Sequence, residues 1–252
     1  MLKVGIQGLA ASYSDAALQR FDPSALRSLY DSFAEVFDDL GSGKIDKAFL
    51  PFENSTAGFI AENFRLLDSS SAFVTHEFIH RVEHCLLGPK GTRIEDVESV
   101  LSHPQALAQC ARFLHGRHLK TEPWFDTAGA ARDVSRMKNK AAIASEEAAR
   151  VYGLEVLKKG INDQPENFTR FLAIGRERVW GKRLLVSCGI GELRSILRRD
   201  VKLVTMLTHA DDGVLWGHKV YLELESTQDV PWSEWLKNFA QLKVLGSFDG
   251  NR

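Results

Sequence analysis

Residues 140–153 read KAAIASEEAARVYG. The first six residues are a short apolar run of strand type, and Ser145–Gly153 carries a helical pattern. A strand that feeds a helix through a polar turn is the unit from which α/β folds are assembled. Working outward, the same kind of run recurs as KVGIQG (3–8), KAFLPFEN (47–54), VESVLSH (97–103) and TRFLAIG (169–175). Between these runs lie helical patterns over Asp31–Gly41, Gly58–Asp68, Pro104–His115 and Thr127–Lys138. The alternation predicts a largely parallel, doubly wound α/β architecture, whose ligands sit at the carboxyl ends of the strands.

The pattern changes after the charged stretch GRERVWGKR (175–183), which reads as a linker. RLLVSCGI, GELRSILRR, VKLVTMLTH, LWGHKVYLELE, PWSEWLKNFAQL and KVLGSF follow as strand, helix, strand, strand, helix and strand. Trp232, Trp235, Leu236 and Phe239 share one face of the second helix. This βαββαβ order over residues 183–252 predicts a small ferredoxin-like α+β domain.

The chain has 252 residues, 44% hydrophobic and 26% charged, with a net charge of −1. Such a balance points to neither nucleic acid nor a membrane surface. Cys85, Cys110 and Cys188 are odd in number and widely spaced, which suits buried thiols in a reducing compartment. The opening MLKVGIQGLAASYS is too short and polar for a signal-peptide core, and no apolar run approaches the ~20 residues of a membrane span. The expected location is the cytoplasm.

Four turns are candidate anion sites: GLAASYS (8–14), ENSTAG (53–58), SHPQALAQ (102–109) and DTAGAA (126–131). Each reads as a polar turn opening a helix, where unsatisfied N–H groups collect. A hydroxyl or amide at such a place more often simply caps its helix. Ser102 reads as such a cap. Gln105 and Gln109, four apart, share a helical face and point towards a common ligand or into solvent. HEFIH (76–80) matches a zinc-protease pattern, but AFVTHEFIHRVEHCLL around it reads as extended. In a strand, residues four apart lie ~13 Å from each other at ~3.3 Å per residue, too far to hold one ion. GIQGLA lacks the spacing of a dinucleotide-binding loop.

PFENSTAG, SHPQALAQC, TAGAA followed by AAIASEEAARVYGL, and NFTRF together resemble prephenate dehydratase, which converts prephenate to phenylpyruvate in phenylalanine synthesis. The likeness covers residues 1–178. It implies two α/β lobes like those of a periplasmic binding protein (roughly 1–75 with 160–178, and 76–159), a cleft between them, and an ACT-like regulatory domain over 183–252. Thr169 matches the threonine most closely tied to catalysis. Asn54, Ser55 and Thr56 match one wall of the pocket, Ser102, Gln105 and Gln109 the other; Ser12, Thr127, Asn167 and Phe171 complete the expected substrate contacts. Arg170 either pairs with a carboxylate or supports the motif, and Glu53 either supplies a proton or orients Asn54. The implied reaction expels a ring hydroxyl as water and a carboxylate as carbon dioxide, driven by aromatisation. It calls for no metal or organic cofactor.

Two departures stand out. Where the family has a second glycine in the first loop, this chain has Ala11, a change that matters if the position needs φ > 0. In the C-terminal part Gly191-Glu192-Leu193 and Leu207-Thr208-His209-Ala210 replace the family's effector motifs. Gly191 and Leu193 are the remaining regulatory candidates, and weak or absent phenylalanine inhibition is expected. The first expectation is a homodimeric or homotetrameric prephenate dehydratase. Arogenate dehydration, or prephenate decarboxylation with the hydroxyl retained, would use the same scaffold. A non-catalytic amino-acid-binding regulator and a zinc protease are the readings from other classes.

Overall fold

The computed structural model describes residues 1–197, 201–210, 215, 217–227 and 231–250. The first lobe comprises β1 (Lys3–Gln7), α1 (Tyr13–Phe21), β2 (Leu26–Tyr30), α2 (Phe33–Gly41), β3 (Lys47–Asn54), β4 (Gly58–Phe59), α3 (Ala61–Ser69) and β5 (Phe73–Arg81). The second comprises β6 (Cys85–Gly88), β7 (Ser99–Ser102), α4 (Pro104–Gln109), α5 (Ala111–Gly116), β8 (Lys120–Pro123), α6 (Thr127–Val134), β9 (Lys140–Ala144), α7 (Glu146–Tyr152) and β10 (Glu155–Lys158). The chain then returns to the first lobe through β11 (Phe168–Gly175).

Local chemistry accounts for these elements. Ser32 and Glu35 form a capping box at the start of α2, whose Val36, Phe37 and Leu40 are buried. Ser145 caps α7 by accepting from the Ala148 N–H, and Gly153 ends it in the left-handed conformation, φ 69°. In α6 the run Ala128-Gly129-Ala130-Ala131 is buried against a sheet whose β9 supplies Ala142 and Ala144, small residues on both sides permitting close approach. In the first lobe Phe49 and Phe171 stack at 5.0 Å between centroids, each ring worth about 1.5–3 kcal/mol in burial.

The sheets are mixed rather than largely parallel. β2, β1 and β3 are parallel neighbours, as are β8, β7 and β9, but β11 runs antiparallel to both β3 and β5. The chain leaves the first lobe along β5 and re-enters along β11, so the two crossing strands must oppose each other. The departure comes at Arg81 rather than at the expected boundary of 75. The expected helix Pro104–His115 is interrupted at Cys110, and Gly58–Asp68 begins as strand, with helix only from Ala61. His76 and His80 lie in β5, extended as expected.

In the C-terminal part, β12 (Arg183–Gly189), α8 (Leu193–Ile196), β13 (Val201–Ala210), β14 (His218–Ser226), α9 (Trp232–Trp235) and β15 (Lys243–Phe248) follow the βαββαβ order, in an antiparallel sheet β13-β14-β12-β15. Trp232, Trp235 and Phe239 pack under it with Leu184, Val186 and Leu222. The residues expected as a linker hold no free-standing domain apart: β15 joins β5 through Gly246 and Val74, merging this sheet with that of the first lobe. A Cβ on Gly246 would sit 2.6 Å from Val74 backbone atoms. Gly246→Ala should therefore cost about 1–3 kcal/mol, as overpacking does. It would lower the urea midpoint, and an unchanged midpoint would mean the seam is loose.

Polar groups reinforce that junction. Arg170 of β11 contacts Glu77 of β5 (2.5 Å) and Glu223 of β14 (2.7 Å), while Arg183 of β12 contacts Glu223 at 2.8 Å. All four are buried. Asp68, at the end of α3, accepts from Ser187 at 2.6 Å and pairs with Lys219.

Candidate active site

The four turns meet. A cavity of about 240 Å³ lies between the lobes. Ser12, Tyr13 and Ser14 reach it from the first turn, and Asn54 from the end of β3. Gln105 and Gln109 line it from α4, Thr127 from the start of α6, and Thr169 and Phe171 from β11. Among the lining residues there is no lysine or arginine, so an anion there meets amides, hydroxyls, two histidines and the N-terminus of α1, with the Asp126 carboxylate opposite in sign to what it needs. A wider groove of about 580 Å³ on the C-terminal part, between Trp180 and Trp232, gathers none of these turns.

Each turn is held by its own bonds. Ala11 is left-handed, φ 65°, as expected for a site where the family carries glycine. Its N–H donates to Asp15 at 2.8 Å, and its carbonyl accepts from Ser145 of the second lobe at 3.0 Å. Ser12 caps α1 by accepting from the Asp15 N–H, and Asp126 caps α6 by accepting from the Gly129 N–H. The second turn, ENSTAG, opens no helix; it is the bend between β3 and β4. There Asn54 Oδ1 accepts from the N–H groups of Thr56 (3.1 Å) and Ala57 (3.0 Å) and from the Thr56 hydroxyl (2.7 Å).

That bend fixes Thr169. With its oxygen bound to backbone N–H groups, the Asn54 amide must turn its Nδ2 towards β11, where it donates to Asn167 Oδ1 (2.8 Å) and Thr169 Oγ1 (3.0 Å). The Thr169 oxygen is an acceptor in that bond, which leaves its hydrogen to donate elsewhere. Asn167 is buried behind the cavity, and Thr56 with Asn167 borders an adjoining groove beside Gln109.

Besides Thr56 and Asn167, four expected site residues do not line the cavity: Ser102, Ser55, Arg170 and Glu53. Ser102 does not cap α4; it is fully buried, donating to the Ile143 carbonyl at 2.7 Å, and His103 makes the cap. Ser55 latches the bend onto β11, accepting from the Phe168 N–H (2.9 Å) and donating to the Glu166 carbonyl (3.3 Å). Arg170 and Glu53 follow Thr169 and precede Asn54 on paired strands, so strand alternation turns them to the other face. There they face each other at 3.8 Å. Burial disfavours the Arg170 charge, but Glu223 and Glu77 outweigh it and raise its pKa. The guanidinium belongs to the domain junction.

Tyr13, His84, His103 and Asp126 line the cavity without having been singled out as contacts. Tyr13 had a signal, the aromatic between the two hydroxyls Ser12 and Ser14. His84 had none: its position depends on where β6 begins.

The prephenate dehydratase family profile matches residues 4–179. The chain belongs to the prephenate dehydratase family. It is 39% identical over 180 residues to the arogenate dehydratase/prephenate dehydratase 2, chloroplastic, of Arabidopsis thaliana, covering 71% of this chain and 47% of that protein. The chain thus spans about half the length of that curated relative. The structure of a prephenate dehydratase from Arthrobacter aurescens in complex with L-Phe shares the fold with a TM-score of 0.87, covering 99% of this chain and 90% of that one at 19% identity. A protein described as a novel type of quorum quenching acylase aligns at TM-score 0.85 and 28% identity, covering 97% of each chain. Residues 180–252 lie beyond the family match, whereas the two structural likenesses extend over nearly the whole chain. Among the described residues no helix is long and apolar enough to cross a membrane.

Proposed function

We propose that this member of the prephenate dehydratase family converts prephenate to phenylpyruvate, carbon dioxide and water. The observation that carries the reading is the orientation of Thr169: Asn54 donates to its oxygen, so its O–H is available to the cleft. The C4–O bond of prephenate breaks as the ring carboxylate leaves, and the departing oxygen needs a proton. Thr169 donates a hydrogen bond to that oxygen and stabilises the charge developing on it, the proton that completes the water is drawn from solvent, and aromatisation supplies the driving force. The substrate carboxylates are met by the N-terminus of α1 and by Gln105, in place of a guanidinium. No step requires a metal or an organic cofactor.

Incubation with prephenate at neutral pH, with phenylpyruvate read by absorbance in alkali, tests this. Consumption of prephenate without phenylpyruvate would indicate decarboxylation with the hydroxyl retained. Binding without turnover would indicate a regulator. Arogenate is the second reading, because the Arabidopsis relative's name carries both activities, and it belongs in the same assay. The acylase likeness gets less support from the site. Of the two cavity histidines, His84 has both ring nitrogens engaged, by Tyr13 at 2.7 Å and Gln109 at 2.8 Å, and so activates no Ser or Thr nucleophile, while His103 spends its Nδ1 accepting from the Gln105 N–H at 3.2 Å.

We place residues 183–252 as an ACT-like domain supporting a homo-oligomer, and the three buried thiols suit a reducing cytoplasm. In this domain the Glu192 carboxylate folds back to accept from the Gly189 N–H at 3.0 Å, between the regulatory candidates Gly191 and Leu193. Millimolar phenylalanine is expected to leave the initial rate within about twofold. Inhibition at micromolar phenylalanine would reject the idea that these replacements removed the effector site.

A further inference from the structure

His84 is buried at the start of the second lobe, between two polar groups that line the cleft. Its Nδ1 lies 2.7 Å from the Tyr13 hydroxyl and its Nε2 2.8 Å from Gln109 Oε1. Which nitrogen carries the hydrogen follows from groups that cannot reverse. The backbone N–H groups of Thr56 and Ala57 fix Asn54 Oδ1, and the Thr56 hydroxyl spends its hydrogen on the same oxygen. The Thr56 oxygen therefore accepts, from Gln109 Nε2 at 2.6 Å. A second route gives the same answer. Asn54 Nδ2 donates to Asn167 Oδ1, so Asn167 Nδ2 faces Gln109 and donates to its Oε1 at 3.2 Å. Gln109 is thus oriented from two sides, with its oxygen towards His84.

We infer that His84 is a positioning residue, held as the neutral Nε2–H tautomer, which commits the Tyr13 hydrogen to Nδ1 and so leaves the Tyr13 oxygen as a hydrogen-bond acceptor towards the cleft. Nε2 donates to Gln109, so Nδ1 is a lone pair. Tyr13 donates to it in preference to the Glu83 carbonyl, which is farther, at 3.2 Å. Burial, opposed in part by the Gln109 bond, holds the His84 imidazolium below the usual pKa of histidine, in keeping with a neutral ring.

The consequence for the substrate rests on the proposed dehydratase reading. At neutral pH prephenate has two carboxylates, a ketone and one hydroxyl. The ring hydroxyl is its single hydrogen-bond donor. An acceptor at Tyr13 and a donor at Thr169 therefore select one group between them, the ring hydroxyl that leaves. It keeps its hydrogen while donating a hydrogen bond to the Tyr13 oxygen, and its own oxygen accepts from Thr169. This gives the cleft a direction, so that the substrate is not bound with its ends exchanged.

Two measurements test this. The first is a 15N–1H spectrum of histidine-labelled free protein at neutral pH, with His84 assigned by its loss in His84→Gln and, independently, by its shift in Tyr13→Phe. The expected result is a protonated Nε2 and an unprotonated Nδ1; an Nδ1–H tautomer or an imidazolium would overturn the inference. The second compares Tyr13→Phe with wild type. kcat/KM for prephenate is expected to fall about 10- to 100-fold, as when a well-placed partner is lost. Inhibition by phenylpyruvate, which has already lost the hydroxyl, should stay within about threefold. Equal losses for both compounds, or no loss for prephenate, would overturn the role of Tyr13. A wild-type protein inert towards prephenate would count against the dehydratase reading instead, and the tautomer would still be decided by the spectrum.

Discussion

Thr169→Ala is expected to lower kcat for phenylpyruvate formation about 10²- to 10³-fold, with KM raised by no more than about tenfold, the worth of one ground-state hydrogen bond. A group whose bond strengthens as charge develops on the leaving oxygen contributes more to kcat than to ground-state binding. Losses of about 10²–10⁴ are usual for such a group. The structure gives the variant a clean interpretation, because Asn54 keeps its bonds to Asn167, Thr56 and Ala57 and the bend stays in place. Thr169→Ser retains the hydroxyl and should recover to within about tenfold of wild type. Phenylpyruvate must be followed against an enzyme-free control, since prephenate converts slowly in acid without enzyme. A Thr169→Ala protein with undiminished kcat would remove the hydroxyl from the mechanism.

Replacing Arg170 should act on stability instead. Arg170→Leu leaves Glu77 and Glu223 buried beside Arg183, and breaking such a cluster costs about 3–5 kcal/mol. Denaturant unfolding should show the drop. Adding Glu223→Leu removes the stranded carboxylate, so the double variant should be more stable than the sum of the two single changes, by about 1–3 kcal/mol. Folded Arg170→Leu should bind prephenate with KM within about threefold of wild type. A large rise in KM with stability unchanged would restore the guanidinium to substrate binding. The same cluster makes the junction between β11 and the C-terminal sheet a mechanical neighbour of Thr169, one residue away on the opposite face.

The sequence alone determined much. The strand–turn–helix unit around Ser145 specified the α/β class, because caps and apolar runs act within a dozen residues. The βαββαβ order after residue 183 was readable for the same reason, as was the extended character of the stretch holding His76 and His80. The missing glycine at Ala11 raised the question of a positive φ, and the structure answers it, with φ 65°. Gln105 and Gln109 both line the cleft, one of the two orientations their i, i+4 spacing left open. Other features depended on partners far along the chain. Thr169 and Arg170 are adjacent hydrophilic residues in sequence, and only the pairing of β11 with β3 and β5 decides that one enters the cleft and the other the junction. Ser102 and Ser55 looked like binding hydroxyls, yet each is spent on a backbone group more than forty residues away. His84 carries no local signal, because its role is set by Tyr13, 71 residues before it, and Gln109, 25 after. Residue type and spacing declare which groups can donate or accept; only the packed strands decide which of them face each other.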